Sequence, residues 1–376
     1  MKKVRIALLA ASLAVVLLFA GILTAGLTTK ESLFQSLGNL AEVVHLVEAE
    51  YVDELDPAVL ALALDGGILE SVDLWAAVVA DDEVGPLTTI FTEPPPYGLA
   101  LTLRLGSAAV RTVFPGSPAD DAGLTSWEVI EQIDGVYTRG RPLWQIALDL
   151  AGRWQRGETV TLTVLDREVD ERREVGLVAR EWRPVSATLE DLDDVRVLEI
   201  SSLTRGAAAE IEPLVSDGTP LVLDLRGLVW GAETEALAVA DLFVEAGTLA
   251  AWQGREAGGD VIAATPGATA ASPMVLVDGE TEAVGEILAA ALQRAGAVLV
   301  GRPTMGHAPH MQLVRRGELN LWMPVGRWLN PADQPIHGEG LVPDDEVAPT
   351  DDEGEEGDPI LEHALAKIRG AQAEAA

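Results

Sequence analysis

At 376 residues the chain exceeds the ~100–200 residues of one ordinary domain, so two or three domains are expected, and 48% hydrophobic residues are enough to build their cores. Sixty acidic residues against 26 basic ones give a net charge of −34, which repels phosphate backbones and excludes nucleic acid as a partner. The absence of cysteine excludes disulfides, thiolate metal sites, a cysteine nucleophile and a lipidated cysteine, and with only Lys2, Lys3, Lys30 and Lys367 the middle of the chain has no amine for catalysis.

Lys2, Lys3 and Arg5 precede an uncharged run from Ile6 to Thr29, long enough at about 1.5 Å per residue to cross a ~30 Å hydrocarbon layer. Ala20-Gly21 and Ala25-Gly26 are poor cleavage sites, so residues 1–29 are expected to stay as a membrane anchor. The leading positive charges place the rest of the chain outside the cytoplasm, as a single-pass protein of the cytoplasmic membrane facing the periplasm or exterior. Residues 30–92 read as a helical module, with Leu33, Leu37, Leu40, Val43, Val44 and Val47 at helical spacing and Pro57 opening a second helix. Pro94-Pro95-Pro96 ends that pattern. Over 93–184 the runs Leu99–Leu103, Ala108–Phe114, Val129–Ile133 and Thr159–Val164 predict strands, and Pro118–Ala122 and Leu143–Leu150 predict helices, giving a small β-rich domain.

Over 185–347 apolar runs at Val195–Ile200, Leu221–Leu225, Met274–Val277 and Val298–Val300 alternate with helical stretches at Ala207–Val215, Glu233–Val244 and Glu282–Arg294. That rhythm predicts an α/β domain with parallel strands. Residues 348–376 read as an acidic, solvated linker followed by a short helix from Pro359.

Tyr97-Gly98-Leu99-Ala100, followed by Phe114-Pro115-Gly116-Ser117-Pro118 and by Val129 to Gly135, resembles a PDZ domain of the bacterial protease type. The resemblance implies that Tyr97, Gly98, Leu99 and Ala100 form a peptide-binding loop: free N–H groups hold a tail carboxylate, and the adjoining strand edge pairs with the peptide. Ser126-Trp127-Glu128 departs from the family's usual turn.

Asp224-Leu225-Arg226-Gly227, Val275-Leu276-Val277-Asp278, Glu286 to Gln293, Gly301-Arg302-Pro303-Thr304 and His337-Gly338-Glu339-Gly340 follow in the order found in carboxyl-terminal processing (tail-specific) serine peptidases, and Tyr51-Val52-Asp53 is similar to that family's opening. This implies a multi-domain α/β fold, with a crotonase-like ββα spiral core, an inserted PDZ domain and an N-terminal helical module. The family uses a serine nucleophile with a lysine base, which must be neutral to act. Carried onto this sequence, the nucleophile position is Ala283 and the base position is His307, while the oxyanion loop falls on Trp230-Gly231.

Thr281 with His307 as base and Glu282 as its orienter would be an unorthodox substitute; His307 and His310 with a carboxylate could be imagined as metal ligands. Trp230, Trp252, Trp322 and Trp328 read more simply as core and groove filling than as a ligand box. The resulting expectation is an envelope-anchored pseudopeptidase with no cofactor and no metal. Its partners would be the C-terminal tails of envelope proteins and an active protease that it tunes or scaffolds. The alternatives are an active endopeptidase with an unorthodox site and a purely structural envelope adaptor.

Overall fold

The structure, a computed structural model, describes residues 38–47, 49–50, 52, 64 and 66–375, except 167–170, 193, 216–218, 256–258, 269 and 349–356. The expected anchor at 1–29 and most of the acidic linker lie outside the described residues; among the described residues no helix is long and apolar enough to cross a membrane. The chain divides into two compact units, residues 1–65 and 66–376. Of the first, residues 38–47 and 49–50 are helical, as the spacing predicts.

The second unit opens on a helical segment at residues 66–70, followed by strand β1 (Ala77–Val79) and helix α1 (Val84–Thr89). A single-turn 3₁₀ helix, Pro96–Gly98, then leads into β2 (Leu99–Arg104), β3 (Ser107–Val113), α2 (Pro118–Asp121), β4 (Val129–Ile133), β5 (Val136–Tyr137), α3 (Leu143–Gln155), β6 (Thr159–Asp166) and β7 (Glu171–Val178). These strands form one antiparallel sheet in the order β2-β3-β4-β6-β7, with β5 pairing to β4. Its core gathers Tyr97, Val110, Ile130, Ile146, Leu162 and Leu177, all fully buried. β2 is the terminal strand of that sheet.

The remainder comprises β8 (Ala187–Leu192), β9 (Val195–Ile200), α4 (Ala207–Val215), β10 (Leu221–Asp224), α5 (Glu233–Asp241), β11 (Thr248–Gly254), β12 (Val261–Ala263), β13 (Met274–Val277), α6 (Val284–Arg294), β14 (Val298–Gly301), β15 (Pro309–Arg316), β16 (Leu319–Trp328), β17 (Asp345–Glu346) and α7 (Pro359–Ala375). Strands β9, β10, β13, β14 and β17 are parallel, with β8 added antiparallel at one edge. Alternate residues go to opposite faces. Leu198, Leu223, Val275 and Leu299 meet the helical layer containing Ile211, Val239 and Leu288, whereas Val197, Val222, Leu276 and Val300 meet Ile360 and Ala364 of α7. Burial on both faces is why these strands read as continuous apolar runs. The mixed α/β architecture is therefore the expected one.

Two expectations need correction. The helical reading of 30–92 fails at Ala77–Val79, which pairs antiparallel with Asn320–Trp322 of β16. A third sheet, β1-β16-β11-β12 with β15 also on β16, went largely unpredicted. Its strands are stabilised by partners remote in sequence, which outweigh weak local patterns such as the His310, Gln312 and Arg315 interruptions of β15.

Candidate functional site

After β10, Arg226 forks onto Asp224 and Asp358 and fixes the turn that carries the chain to Trp230 and Gly231. Gly231 lies against Leu203 so closely that a Cβ would sit 2.5 Å from its carbonyl oxygen, and only glycine fits. Trp230 is buried; its Nε1 donates to the Glu93 carbonyl at 3.1 Å and its ring tilts against Phe91 at 4.9 Å. The indole thus fills a seam with Ile90, Ala100, Phe114 and Ala147.

Between β13 and α6 the chain makes a sharp elbow at Ala283, whose φ of 49° and ψ of −109° are rarely adopted by a residue with a side chain. This bend starts α6 at Val284, two residues later than predicted. Neighbours hold it: the Ala283 N–H donates to the His307 carbonyl at 3.1 Å and the Glu282 N–H to that of Leu228 at 3.1 Å. The Thr281 hydroxyl donates to the Leu225 carbonyl at 3.1 Å, with Asp278 Oδ1 at 3.2 Å, and is fully buried. It is committed to the turn and does not meet His307, so the Thr281–His307 pairing is not assembled.

One turn into α6, buried Glu286 accepts from the Thr304 hydroxyl, from the Gly306 N–H at 2.7 Å and from the His307 N–H at 2.9 Å. Burial raises the Glu286 carboxyl above its ordinary range in spite of these donors. The clamp presents the His307 ring between two acids, with Nδ1 2.8 Å from Glu282 Oε1 and Nε2 3.0 Å from Asp73 Oδ2. Asp73's side chain is 1% exposed, and its other oxygen accepts the Trp75 N–H at 2.8 Å. Burial alone would lower the imidazole, but the hydrogen bonds and charges of Asp73 and Glu282 outweigh it and push it up to about 10. Both ring nitrogens therefore donate, and His307 is a cation at neutral pH.

The network continues into the antiparallel sheet. Glu282 Oε2 accepts from Arg111 Nε at 2.9 Å, and Arg111 also pairs with the Glu280 carboxylate and donates to its carbonyl at 3.0 Å. The guanidinium lies over the Trp127 ring, 4.9 Å from its centre. Burial opposes ionisation of Glu282, yet the His307 hydrogen bond and the Arg111 charge hold its carboxyl below the ordinary range. Charges thus alternate along Asp73, His307, Glu282, Arg111 and Glu280.

Asp73, His307, Glu282 and Arg111 border a cavity of about 280 Å³ that is also lined by Ala283, Trp230 and Gly231, and by Ala100 to Thr102 of β2. Ala283 brings only a methyl group to the tip of the elbow, and the His307 imidazolium has no lone pair with which to accept a proton. His310 faces elsewhere: Nδ1 lies 2.8 Å from Glu233 Oε2, Nε2 lies 2.8 Å from Gln312 Nε2, and the ring stacks on Trp252 at 4.5 Å. The two histidines therefore share no ligand position, and among the described residues no group of three or more His, Cys, Asp or Glu is arranged to hold a metal ion.

The loop at 97–100 departs from expectation. The Gly98 N–H donates to the Pro95 carbonyl at 2.9 Å and the Leu99 N–H to that of Pro96, because the segment closes into a 3₁₀ turn that uses these donors itself. Tyr97 and Ala100 are buried, and a Cβ on Gly98 would fall 1.9 Å from Ser117 Cβ. Of the four residues only Ala100 lines the cavity, together with Leu101 and Thr102 of the same edge strand β2.

Asp73, Arg111, Glu233 and Glu280 were missed by sequence reasoning. Arg111 had a signal, since a lone arginine inside the apolar run Ala108–Phe114 must find a buried acid. Asp73 had none: nothing in its local sequence announces a partner 234 residues away.

Residues 195–347 match the family profile described as peptidase family S41. A carboxyl-terminal-processing protease of Picosynechococcus sp. is 30% identical over 247 residues, which cover 62% of this chain and 59% of that protein. A carboxy-terminal-processing protease of Bartonella bacilliformis is 24% identical over 333 residues, covering 84% of this chain and 76% of the relative. The solved structure of a photosystem II D1 C-terminal processing protease superposes with a TM-score of 0.60 over 74% of this chain and 78% of its own, at 21% identity, which is a likeness of fold. The chain spans about 59% of the length of the first of these relatives. These matches agree that segment 195–347 is similar to peptidase family S41 domains and that the chain as a whole is similar to carboxyl-terminal-processing proteases.

Proposed function

We propose that this chain is a non-catalytic, tail-binding member of its family, a pseudopeptidase held at the cytoplasmic membrane by residues 1–29 with the rest of the protein outside the cytoplasm. The observation that carries the reading is the doubly clamped His307 imidazolium next to the Ala283 methyl. A nucleophile and its base act as a unit, and loss of either member typically removes several orders of magnitude of rate; here both are gone.

The antiparallel sheet of residues 93–184 serves as an inserted PDZ domain. Its terminal strand β2 places Ala100, Leu101 and Thr102 in the wall of the cavity, which favours an extended tail pairing with that edge. The tails of envelope proteins are the partners this reading names, with an active protease as a second partner that the chain tunes or scaffolds.

The test is to incubate the purified protein with C-terminal tail peptides and unfolded substrates, measuring binding by anisotropy and products by mass spectrometry. Binding without new termini is expected. Turnover that survives repurification and disappears on Thr281→Ala or His307→Ala would overturn it.

A further inference from the structure

Glu233 opens α5 and lines the same cavity, but it stands outside the alternating network. Its Oε1 accepts from Trp328 Nε1 at 3.1 Å and its Oε2 lies 2.8 Å from His310 Nδ1. The other ring nitrogen of His310, Nε2, lies 2.8 Å from the Gln312 amide, so the imidazole is held between Glu233 and Gln312. Asp73 and Glu282 are matched by His307 and Arg111; Glu233 has no lysine or arginine partner among the described residues. Two aromatic donors therefore fix a carboxylate, 29% exposed, that has no lysine or arginine partner among the described residues and keeps lone pairs free for a further donor. Nearby walls supplied by Ile287, Met311 and Trp322 are apolar and suit an alkyl stem. Trp322 adds a buried indole Nε1 with no partner among the described residues, a donor left over for a ligand oxygen.

We infer that Glu233 makes this cavity a receptor for a cationic side chain, so that the preferred ligands are peptides carrying a lysine or arginine in the segment that enters it. The inference rests on the tail-binding reading for its natural ligand, but not for its chemistry: a fixed carboxylate beside an apolar wall selects an alkylammonium or alkylguanidinium ion over a neutral isostere.

The experiment uses the full chain and two kinds of probe. Apolar tail peptides differing only in lysine, norleucine or glutamate are compared on the unmodified protein and on Glu233→Gln. Separately, n-butylammonium and n-butanol are titrated while the Trp328 Nε1–H resonance is followed. The lysine peptide should bind about tenfold tighter than the norleucine one and the glutamate peptide weakest, with the lysine preference gone in Glu233→Gln. Butylammonium, and not butanol, should move the Trp328 resonance of the unmodified protein. Equal affinity for lysine and norleucine peptides, a preference that survives Glu233→Gln, or a Trp328 resonance indifferent to butylammonium would each overturn the proposal. If no tail peptide binds but butylammonium still moves the resonance in the unmodified protein and not in the variant, the tail-binding reading falls and the cation site stands.

Discussion

Two of the bends that hold a side-chain-bearing residue at positive φ, Tyr97 at 57° before β2 and Ala283 at 49° before α6, tolerate it by opposite means. Tyr97 compensates with its own side chain. The ring is fully buried, meets Trp154 edge-on at 5.2 Å, and its hydroxyl donates to the Glu158 carbonyl at 2.9 Å. Ala283 has only a methyl group, so its conformation is imposed from outside, by Leu228 and by the loop that Glu286 and Glu282 tie to α6. The elbow at Ala283 thus holds its strained backbone because the neighbours, not the residue at its tip, determine it.

If Ala283 is held from outside, removing a holder should have the largest effect. His307→Ala leaves Asp73 and Glu282 buried without their shared cation and should destabilise by about 3–5 kcal/mol in urea titrations, whereas His307→Lys, which keeps a cation there, should lose much less. Equal losses would mean that shape, not charge, holds the loop.

The same clamp gives a pH signature. The folded value of His307, about 10, lies above its ordinary 6.5, so its contribution to stability is fully present below pH 6.5 and is lost as pH rises through 10. The unfolding free energy from urea titrations should fall over that window by on the order of a few kcal/mol, and His307→Gln should flatten the slope.

Activity sharpens the point. Ala283→Ser with His307→Lys restores the family's residue types, yet the new ammonium would inherit both carboxylates and stay protonated. No cleavage of tail peptides above buffer is expected from that pair. Adding Asp73→Asn and Glu282→Gln is the change that would let the lysine become neutral, and turnover by the double variant alone would refute the clamp as the obstacle.

The smallest effects test the contrast between the bends directly. Tyr97→Gly relaxes the backbone but forfeits the buried ring, and should cost about 3 kcal/mol. Ala283→Gly relaxes a comparable strain and forfeits one methyl, so it should stabilise by about 1 kcal/mol. Changes of the same sign in thermal or urea melts would break the comparison.

How much of this was legible in the sequence follows the same division. Val195–Ile200 and Met274–Val277 were read to the residue because a strand buried on both faces carries its own apolar signature. Ala283 and His307 were singled out by motif order alone, and Glu282 was weighed as a partner of His307 only within a Thr281 arrangement that does not assemble. The charge of His307 was not, because it depends on Asp73, which arrives through a fold-level encounter with no local pattern. The use of the 97–100 donors within their own turn was equally invisible, since hydrogen-bond closure there is a matter of backbone angles, not residue type.

Helix α7 has a consequence for the sheet it covers. Ile360 and Ala364 are part of the packing under the parallel sheet, and Asp358 is one jaw of the Arg226 fork. Peeling this helix away would expose Val222, Leu276 and Val300 to water and strip Arg226 of one of its two carboxylates, so α7 is a structural half of the sheet's second face and not an appendage to it.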